Sequence, residues 1–226
     1  MPYPVGMNWT GQMQGRKTII VDYGMGNMFS VLWACANVGL DAVLTADRKE
    51  LEGAAAVILP GVGAFGPAME NLNRLDLVNP LKYFCASGRP FMGICLGFQL
   101  LMTESEEFGM NRGLDIIKGA VRKFPAPNSE GAKVPQVGWN AIKKCRSWDG
   151  TVLEGLADGE YMYFVHSFYV ALDSKKTACT STSYAGIEYT SSISSGSVFA
   201  CQFHPEKSAW NGLKIYRNFK KRITGE

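Results

Sequence analysis

The 226-residue chain contains only two histidines, His166 and His204, and no cysteine pair with C-x-x-C spacing. The usual zinc-ligand patterns are therefore excluded, and no metal or other cofactor is expected. The net charge is only +3, and the one dense basic run is 220–222. Nucleic acid is therefore not an expected partner.

The sequence also lacks long apolar runs. None approaches the roughly 20 residues that cross a bilayer, and the first 16 residues contain no apolar segment typical of a secretory signal. The chain has six cysteines, but it can build a core that does not need disulfides for stability. These features predict a reduced, cytoplasmic protein without a membrane association.

In the first half of the chain, short apolar segments alternate with segments of helical periodicity. The predicted strands are 18–22, 42–44, 56–59 and 91–94, and the predicted helices are 28–38, 67–72, 80–87 and 96–102. This alternation predicts βαβ units, and hence an α/β fold with a parallel sheet. After Gly113, β-branched and aromatic residues dominate. The predicted elements there are the strands 160–172, 177–183 and 198–202 and a final helix, 211–223.

The domain organisation is predicted from the same pattern. Residues 1–17 show no periodicity, which indicates a flexible N-terminal arm. Residues 18–226 show no internal repeat and no linker, which indicates one domain.

Cys95 lies in the segment Gly93-Ile-Cys-Leu-Gly97, directly after a predicted strand and before a predicted helix. A nucleophile on such a tight turn needs small neighbours on either side, because the backbone folds back on itself. The N–H groups of the following helix favour a thiolate and can stabilise an oxyanion. Cys95 is therefore the candidate nucleophile, whereas the other five cysteines are interpreted as ordinary core or surface cysteines.

A cysteine nucleophile needs a base, and only two histidines are available. His204 lies in the segment Gln202-Phe-His-Pro-Glu206, where the proline restricts the backbone and holds His204 and Glu206 close together. This predicts a triad of Cys95, His204 and Glu206. His166 has no carboxylate nearby in sequence, and we expect it to pack on a strand.

Gly93-Ile-Cys-Leu-Gly-Phe-Gln99, followed much later by His204-Pro-Glu206, resembles the class I (triad) glutamine amidotransferases. The turn Pro60-Gly-Val-Gly63 is similar to the segment that supplies part of the oxyanion hole in this family. Further motifs, such as Asp22-Tyr-Gly-Met-Gly-Asn27 and Val137-Gly-Trp-Asn140, resemble the family branch that serves imidazole glycerol phosphate synthase in histidine biosynthesis. The resemblance covers about 18–223.

The resemblance implies a mostly parallel central sheet flanked by helices, with additional antiparallel strands. It also implies that Cys95 attacks the side-chain amide of glutamine, that His204 protonates the departing ammonia and later activates water, and that Glu206 holds His204. The backbone N–H groups of Val62 and Leu96 would form the oxyanion hole. The implied glutamine-binding residues are Gly61, Gly63, Gln99, Ser167 and Phe168.

The partner implied by this family branch is a (β/α)₈-barrel cyclase, which receives ammonia within a heterodimer. Four residues match family positions that face it: Asn27, Trp139, Tyr163 and Lys207. Without the resemblance, the two aromatic residues would be read as core residues and Lys207 as a surface charge.

Alternatives stay open at this point. Gln136 stands where this branch commonly has histidine, which favours a related glutaminase subunit that feeds another synthase, such as one that amidinates a surface sugar. A non-catalytic regulatory subunit would have no physical need for an intact triad. A cysteine peptidase fits the His-Pro-Glu segment and the oxyanion turn less well.

Overall fold

The computed structural model describes residues 17–125 and 133–225. The arm predicted for 1–17 lies outside the described residues apart from Lys17. Within the described ranges the strands are β1 (Thr18–Val21), β2 (Ala42–Thr45), β3 (Ala56–Leu59), β4 (Phe91–Ile94), β5 (Glu104–Ser105), β6 (Asn111–Arg112), β7 (Gly119–Lys123), β8 (Gln136–Ala141), β9 (Lys143–Lys144), β10 (Tyr161–His166), β11 (Phe168–Leu172), β12 (Ala178–Tyr184), β13 (Ile187–Ser195) and β14 (Val198–Cys201). The helices are α1 (Met28–Asn37), α2 (Arg48–Gly53), α3 (Phe65–Arg74), α4 (Val78–Ala86), α5 (Leu96–Gln99) and α6 (Ala209–Thr224).

Most strands belong to one sheet, whose order is β2-β1-β3-β4-β14-β13-β11-β7-β5-β6. Its first five strands are parallel neighbours, and antiparallel pairing begins between β14 and β13. β12 pairs with β13 and with β9, while β8 and β10 form a separate antiparallel pair. The predicted α/β class, with a mostly parallel central sheet and additional antiparallel strands, is confirmed.

Side chains of the parallel strands alternate between two cores, one on each face of the sheet. Ile20 points toward the core that also contains buried residues of α1 and α6. Its neighbours Ile19 and Val21 point toward the core that contains residues of α2, α3 and α4. Because both faces are covered, these strands are apolar throughout rather than alternating in polarity.

Helix α1 begins at Met28, as its sequence predicts, and ends at Asn37, one residue before the predicted end. The Asn27 side chain accepts a hydrogen bond from the backbone N–H of Ser30 at 3.3 Å, which caps the first turn. At the other end Gly39 has φ 66°, a left-handed conformation that suits a glycine after a helix.

The helix predicted at 96–102 is too long, since α5 ends at Gln99. The carbonyls of Leu100, Leu101 and Met102 instead accept hydrogen bonds from the segment 114–117, at 2.8–3.0 Å. The apolar spacing is real, because these three residues are fully buried, but tertiary hydrogen bonds replace the helical ones.

The prediction of a single strand at 160–172 is also wrong. The chain forms β10 and β11, which belong to different sheets and are separated by Ser167. β10 pairs with β8, whereas β11 pairs with β7 and β13. The apolar pattern runs through the break without a turn residue, so the sequence carries no signal for it.

Candidate active site

Cys95 occupies a tight turn between β4 and α5 and has φ 54°, which is uncommon for a residue other than glycine. Its backbone N–H donates to the carbonyl of Cys201 on the neighbouring strand β14, at 2.8 Å. A Cβ at Gly97 would overlap the carbonyl of Leu59, and one at Gly93 would contact the Ala200 side chain at 3.1 Å. The two flanking glycines are therefore required by close packing, as the sequence pattern predicts.

His204 and Glu206 form a buried pair just after β14. The Nδ1 atom of His204 lies 2.7 Å from Oε1 of Glu206, and both side chains are 3% exposed or less. The backbone N–H of His204 donates to the carbonyl of Tyr163, and Ser208 Oγ donates to the His204 carbonyl. Pro205 opens a short 3₁₀ turn that carries Glu206 back to the imidazole.

The charges around His204 determine its protonation. Burial on its own would lower the pKa of His204, but the Cys95 thiolate, followed by Glu206, outweighs burial and raises this pKa to about 10. Among the described residues, His204 Nε2 has no hydrogen-bond partner of good geometry. The imidazole is therefore cationic at neutral pH, and its buried Nε2 is not committed to another hydrogen bond.

Two further groups contact the sulfur of Cys95. The Nε2 atom of Gln202 donates to Sγ at 3.6 Å, and Sγ lies 4.0 Å from the carbonyl of Val165. Gln202 is fully buried and was not singled out in the sequence. Its position directly after β14, two residues before His204, is the signal that could have found it.

Cys95 opens into a cavity of about 410 Å³. The predicted site residues that line it are Val62, Gly63, Cys95, Leu96, Gln99, Ser167, Phe168 and Lys207. Gln99 donates with Nε2 to the carbonyl of Phe168 at 3.0 Å. Residues from four separate segments therefore meet at the carboxyl ends of the parallel strands, where ligands bind in open α/β sheets.

The predicted oxyanion turn lies beside the nucleophile. The Leu96 N–H donates to the carbonyl of Gly61 at 3.3 Å, and the Tyr23 hydroxyl donates to the carbonyl of Pro60 at 2.9 Å. Val62 is 41% exposed. One of the two predicted oxyanion donors is thus occupied by a carbonyl in this structure.

Glu107 also lines the cavity, although the sequence pattern did not single it out. Its Oε2 accepts a hydrogen bond from the backbone N–H of Phe65 at 2.7 Å. Burial raises the pKa of this carboxyl, and that hydrogen bond opposes the increase. In the sequence Glu107 is one of three glutamates between 104 and 107, so the residue that points inward could not be chosen.

His166 is buried and lines the same cavity. Its Nδ1 lies 2.7 Å from the carbonyl of Phe168, and its Nε2 lies 3.2 Å from the Tyr189 hydroxyl. Burial lowers its pKa to about 4, so the ring is neutral at neutral pH. The Tyr189 hydroxyl also lies 3.0 Å from Oε1 of Gln136, which is itself buried. The Gln136 side chain therefore faces the interior and not a partner.

Three of the four residues predicted to face a partner lie on the β8–β10 pair and the turn that follows β14. Trp139 and Tyr163 are cross-strand neighbours with ring centroids 6.2 Å apart, and Trp139 is 52% exposed. Lys207 Nζ lies 5.8 Å from the Tyr163 ring. Asn27 is exposed at the start of α1, where it caps the helix. Their role toward a partner stays a prediction.

Within 17–125 and 133–225, no group of three His, Cys, Asp or Glu side chains could hold a metal ion. The part of the chain that the structure describes contains no helix with the length and apolar character needed to cross a membrane.

Residues 19–222 match the family "Glutamine amidotransferase class-I". Subunit HisH of imidazole glycerol phosphate synthase from Aquifex aeolicus is 44% identical over 91% of this chain and 97% of the relative. The HisH subunit from Caldanaerobacter subterraneus is 47% identical over 90% and 97%. Among solved structures, PurLQS from Thermotoga maritima is similar in fold, with a TM-score of 0.67, 19% identity and coverage of 93% and 98%. The chain therefore belongs to the class-I glutamine amidotransferase family and, within it, to the HisH subunits of imidazole glycerol phosphate synthase.

Proposed function

We propose that this chain is the glutaminase subunit of an imidazole glycerol phosphate synthase. It hydrolyses glutamine to glutamate and ammonia, with Cys95 as nucleophile, and passes the ammonia to a cyclase subunit in histidine biosynthesis. The observation that carries this proposal is the position of Cys95, on a strained turn at the cavity and close enough to the buried pair of His204 and Glu206 for its charge to raise the pKa of His204. The high identity to HisH subunits supports the pathway.

In the first half of the proposed reaction, the Cys95 thiolate attacks the side-chain amide carbon of glutamine and gives a tetrahedral oxyanion. The cationic His204 then donates its Nε2 proton to the amide nitrogen, and the C–N bond breaks to release ammonia. This leaves a glutamyl thioester on Cys95 and a neutral imidazole. Glu206 keeps the imidazole oriented and stabilises its cationic form.

In the second half, neutral His204 removes a proton from a water molecule as that water attacks the thioester carbon. The C–S bond breaks, glutamate is released, and Cys95 leaves as a thiolate beside the cationic imidazole. Each cycle consumes one glutamine and one water and releases one glutamate and one ammonia. The starting charges are thereby restored without any cofactor.

The cavity offers complementary groups for the amino-acid end of glutamine. Glu107 supplies a carboxylate for the α-ammonium group, and the backbone around Gly63, Ser167 and Phe168 supplies polar groups. Gln99 contacts Phe168 and so fixes this wall of the cavity. A pocket with a few polar groups around an apolar wall is typical of a small-molecule site.

We propose a heterodimer with a (β/α)₈-barrel cyclase that docks on the face with Trp139, Tyr163 and Lys207. Ammonia in water near neutral pH becomes ammonium and loses its nucleophilicity, so transfer inside a sealed interface preserves it. The thiolate mechanism also requires a reduced cysteine, which the cytoplasm maintains. We therefore place this enzyme in the cytoplasm.

A related glutaminase subunit that feeds another synthase is the alternative suggested by Gln136. The buried position of this side chain weakens that suggestion, because a change there leaves the exposed surface of β8 unaltered. A non-catalytic regulatory subunit is less consistent with the juxtaposed Cys95, His204 and Glu206.

The test is glutamine hydrolysis by the purified chain, alone and with a histidine-pathway cyclase subunit and its nucleotide ligand. Cys95→Ala removes the nucleophile and is expected to lower the activated rate by at least ~10³-fold. Cys145→Ala is the matched control, since Cys145 is an exposed cysteine on another part of the surface. Its activity should equal that of the unmodified chain.

Activation by the cyclase, lost only in Cys95→Ala, would support both the reaction and the pathway. A chain that stays inert with the cyclase, but is alkylated at Cys95 by a glutamine-like affinity label, would move the proposal to another synthase. Absence of both hydrolysis and labelling would overturn the glutaminase function.

A further inference from the structure

A chain of hydrogen bonds between buried amides ends at the sulfur of Cys95. The Nε2 atom of Gln99 donates to the carbonyl of Phe168 and to Oε1 of Gln202, both at 3.0 Å. The Nε2 atom of Gln202 in turn donates to Cys95 Sγ at 3.6 Å. Gln99 is 5% exposed and Gln202 is not exposed at all, so water cannot replace these contacts.

The backbone carbonyl of Phe168 determines the direction of every hydrogen bond in this series. A backbone carbonyl can only accept, so the nitrogen of Gln99 has to face Phe168. The second hydrogen of that nitrogen then requires the oxygen of Gln202 to face Gln99. The nitrogen of Gln202 is left to face the sulfur, and the amide cannot turn over without breaking two buried hydrogen bonds.

We propose that Gln202 is a positioning residue that donates a hydrogen bond to the Cys95 thiolate and that Gln99 holds it in this orientation. The proposal rests on the proposed role of Cys95 as nucleophile. Gln99 would then have two roles: it lines the glutamine cavity, and it connects the cavity wall to the nucleophile.

A donor at this position favours the thiolate over the thiol. Hydrogen bonds to an anionic acceptor are about twice as strong as those between neutral groups, and burial increases the effect. The carbonyl of Val165, 4.0 Å from Sγ, can accept a bond from a thiol but not donate to a thiolate. Gln202 also keeps its donor when His204 becomes neutral after ammonia release, so it stabilises the sulfur as it leaves the thioester.

The pH dependence of Cys95 reactivity can report on this bond because few other groups nearby titrate around neutral pH. Burial, with a contribution from the Cys95 charge, raises the pKa values of Tyr23 and Tyr189, and burial likewise raises that of Cys201. The charged or titratable groups that remain close are His204 with its partner Glu206, and the cavity residues Glu107, His166 and Lys207. All of them are retained in the variants below.

The experiment measures the rate of alkylation of Cys95 by iodoacetamide between pH 5 and 10 on the full chain, with mass spectrometry to separate Cys95 from exposed Cys145. Gln202→Met keeps the shape of the side chain and removes the donor. We expect the rate at pH 7 to fall about tenfold and the midpoint of the curve to move to higher pH, with an unchanged plateau. Gln202→Glu places an anion beside the sulfur and should move the midpoint further.

The matched control is Asn218→Leu on α6, which removes an amide that donates to the carbonyls of Val152 and Glu154. It should leave the alkylation curve of Cys95 unchanged even where it lowers thermal stability. If the alkylation curves of Cys95 in both Gln202 variants superimpose on that of the unmodified chain, the positioning role is overturned. If Cys95 is not the nucleophile, the result is different: Cys95 of the unmodified chain then reacts with iodoacetamide no faster than Cys145.

Discussion

The backbone N–H of Leu96 donates to the carbonyl of Gly61 at 3.3 Å, so a proposed oxyanion donor is already satisfied by the neighbouring turn. A carbonyl at this position would repel the developing oxyanion. Rotation of the Gly61–Val62 peptide would remove the carbonyl and point the Val62 N–H toward the same place. In this structure the proposed oxyanion hole is therefore incomplete, and we propose that its completion allows a partner to control hydrolysis.

Val62→Pro tests this rotation because proline has no N–H to donate. We expect the partner-activated rate of glutamine hydrolysis to fall roughly 10²–10³-fold, which is the usual loss for one oxyanion donor. Val62→Ala keeps the N–H, and because the Val62 side chain is 41% exposed it should retain full activity. Equal rates for the proline and alanine variants, with unchanged cyclase binding, would argue against the rotation.

Local patterns were sufficient to predict the parallel half of the fold and the turn at Cys95. The apolar strands and the glycines around Cys95 each depend on contacts within a few residues or on one close approach. These requirements are visible in the sequence. The clustering of His204 and Glu206 was also predictable, since the proline between them restricts the chain.

The remaining features depend on contacts between distant segments. The break at Ser167 arises because β10 and β11 pair with different strands, and no residue type marks it. Helix α2 and strand β13 were not predicted, since their polar sequences lack a clear apolar period. Glu107 and Gln202 became recognisable only when the sheet brought them to the cavity.

Glu107→Gln tests binding of the α-ammonium group of glutamine. The amide keeps an oxygen that can accept from the Phe65 N–H, so the fold should be preserved while the negative charge is lost. We expect KM for glutamine to rise roughly tenfold or more, with a smaller change in kcat. Glu106→Gln is the control, because Glu106 pairs with Arg122 away from the cavity lining. A larger loss in kcat than in KM would contradict a substrate-binding role.

The two histidines should titrate far apart in NMR spectra. The pKa of His166 is lowered to about 4 by burial, and that of His204 is raised to about 10, since the Cys95 thiolate and Glu206 outweigh burial. Cys95→Ala removes the first of these charges, so the pKa of His204 should fall. Cys145→Ala should leave it unchanged. If the His204 signal has the same midpoint in the Cys95→Ala variant as in the unmodified chain, the thiolate does not influence the pKa of His204.

The same shifts predict how stability depends on pH. The folded-state pKa of His204 lies above its ordinary value, so its contribution is complete below about pH 6.5 and is lost as the pH rises toward 10. The folded-state pKa of His166 lies below its ordinary value, so its contribution is complete above about pH 6.5 and is lost as the pH falls toward 4. Urea unfolding across this range should show greatest stability near neutral pH, and Cys95→Ala should weaken the alkaline loss.

Trp139→Ala tests the proposed docking face. Trp139 packs against Tyr163, and half of its surface is exposed, which is typical of an aromatic anchor in an interface. We expect the Kd for the cyclase subunit, measured by calorimetry, to rise at least roughly tenfold. Tyr83→Ala is the control, since Tyr83 is an exposed aromatic residue on α4. Equal losses of affinity in both variants would indicate a different docking surface, and alkylation of Cys95 in Trp139→Ala should stay normal because this residue does not line the cavity.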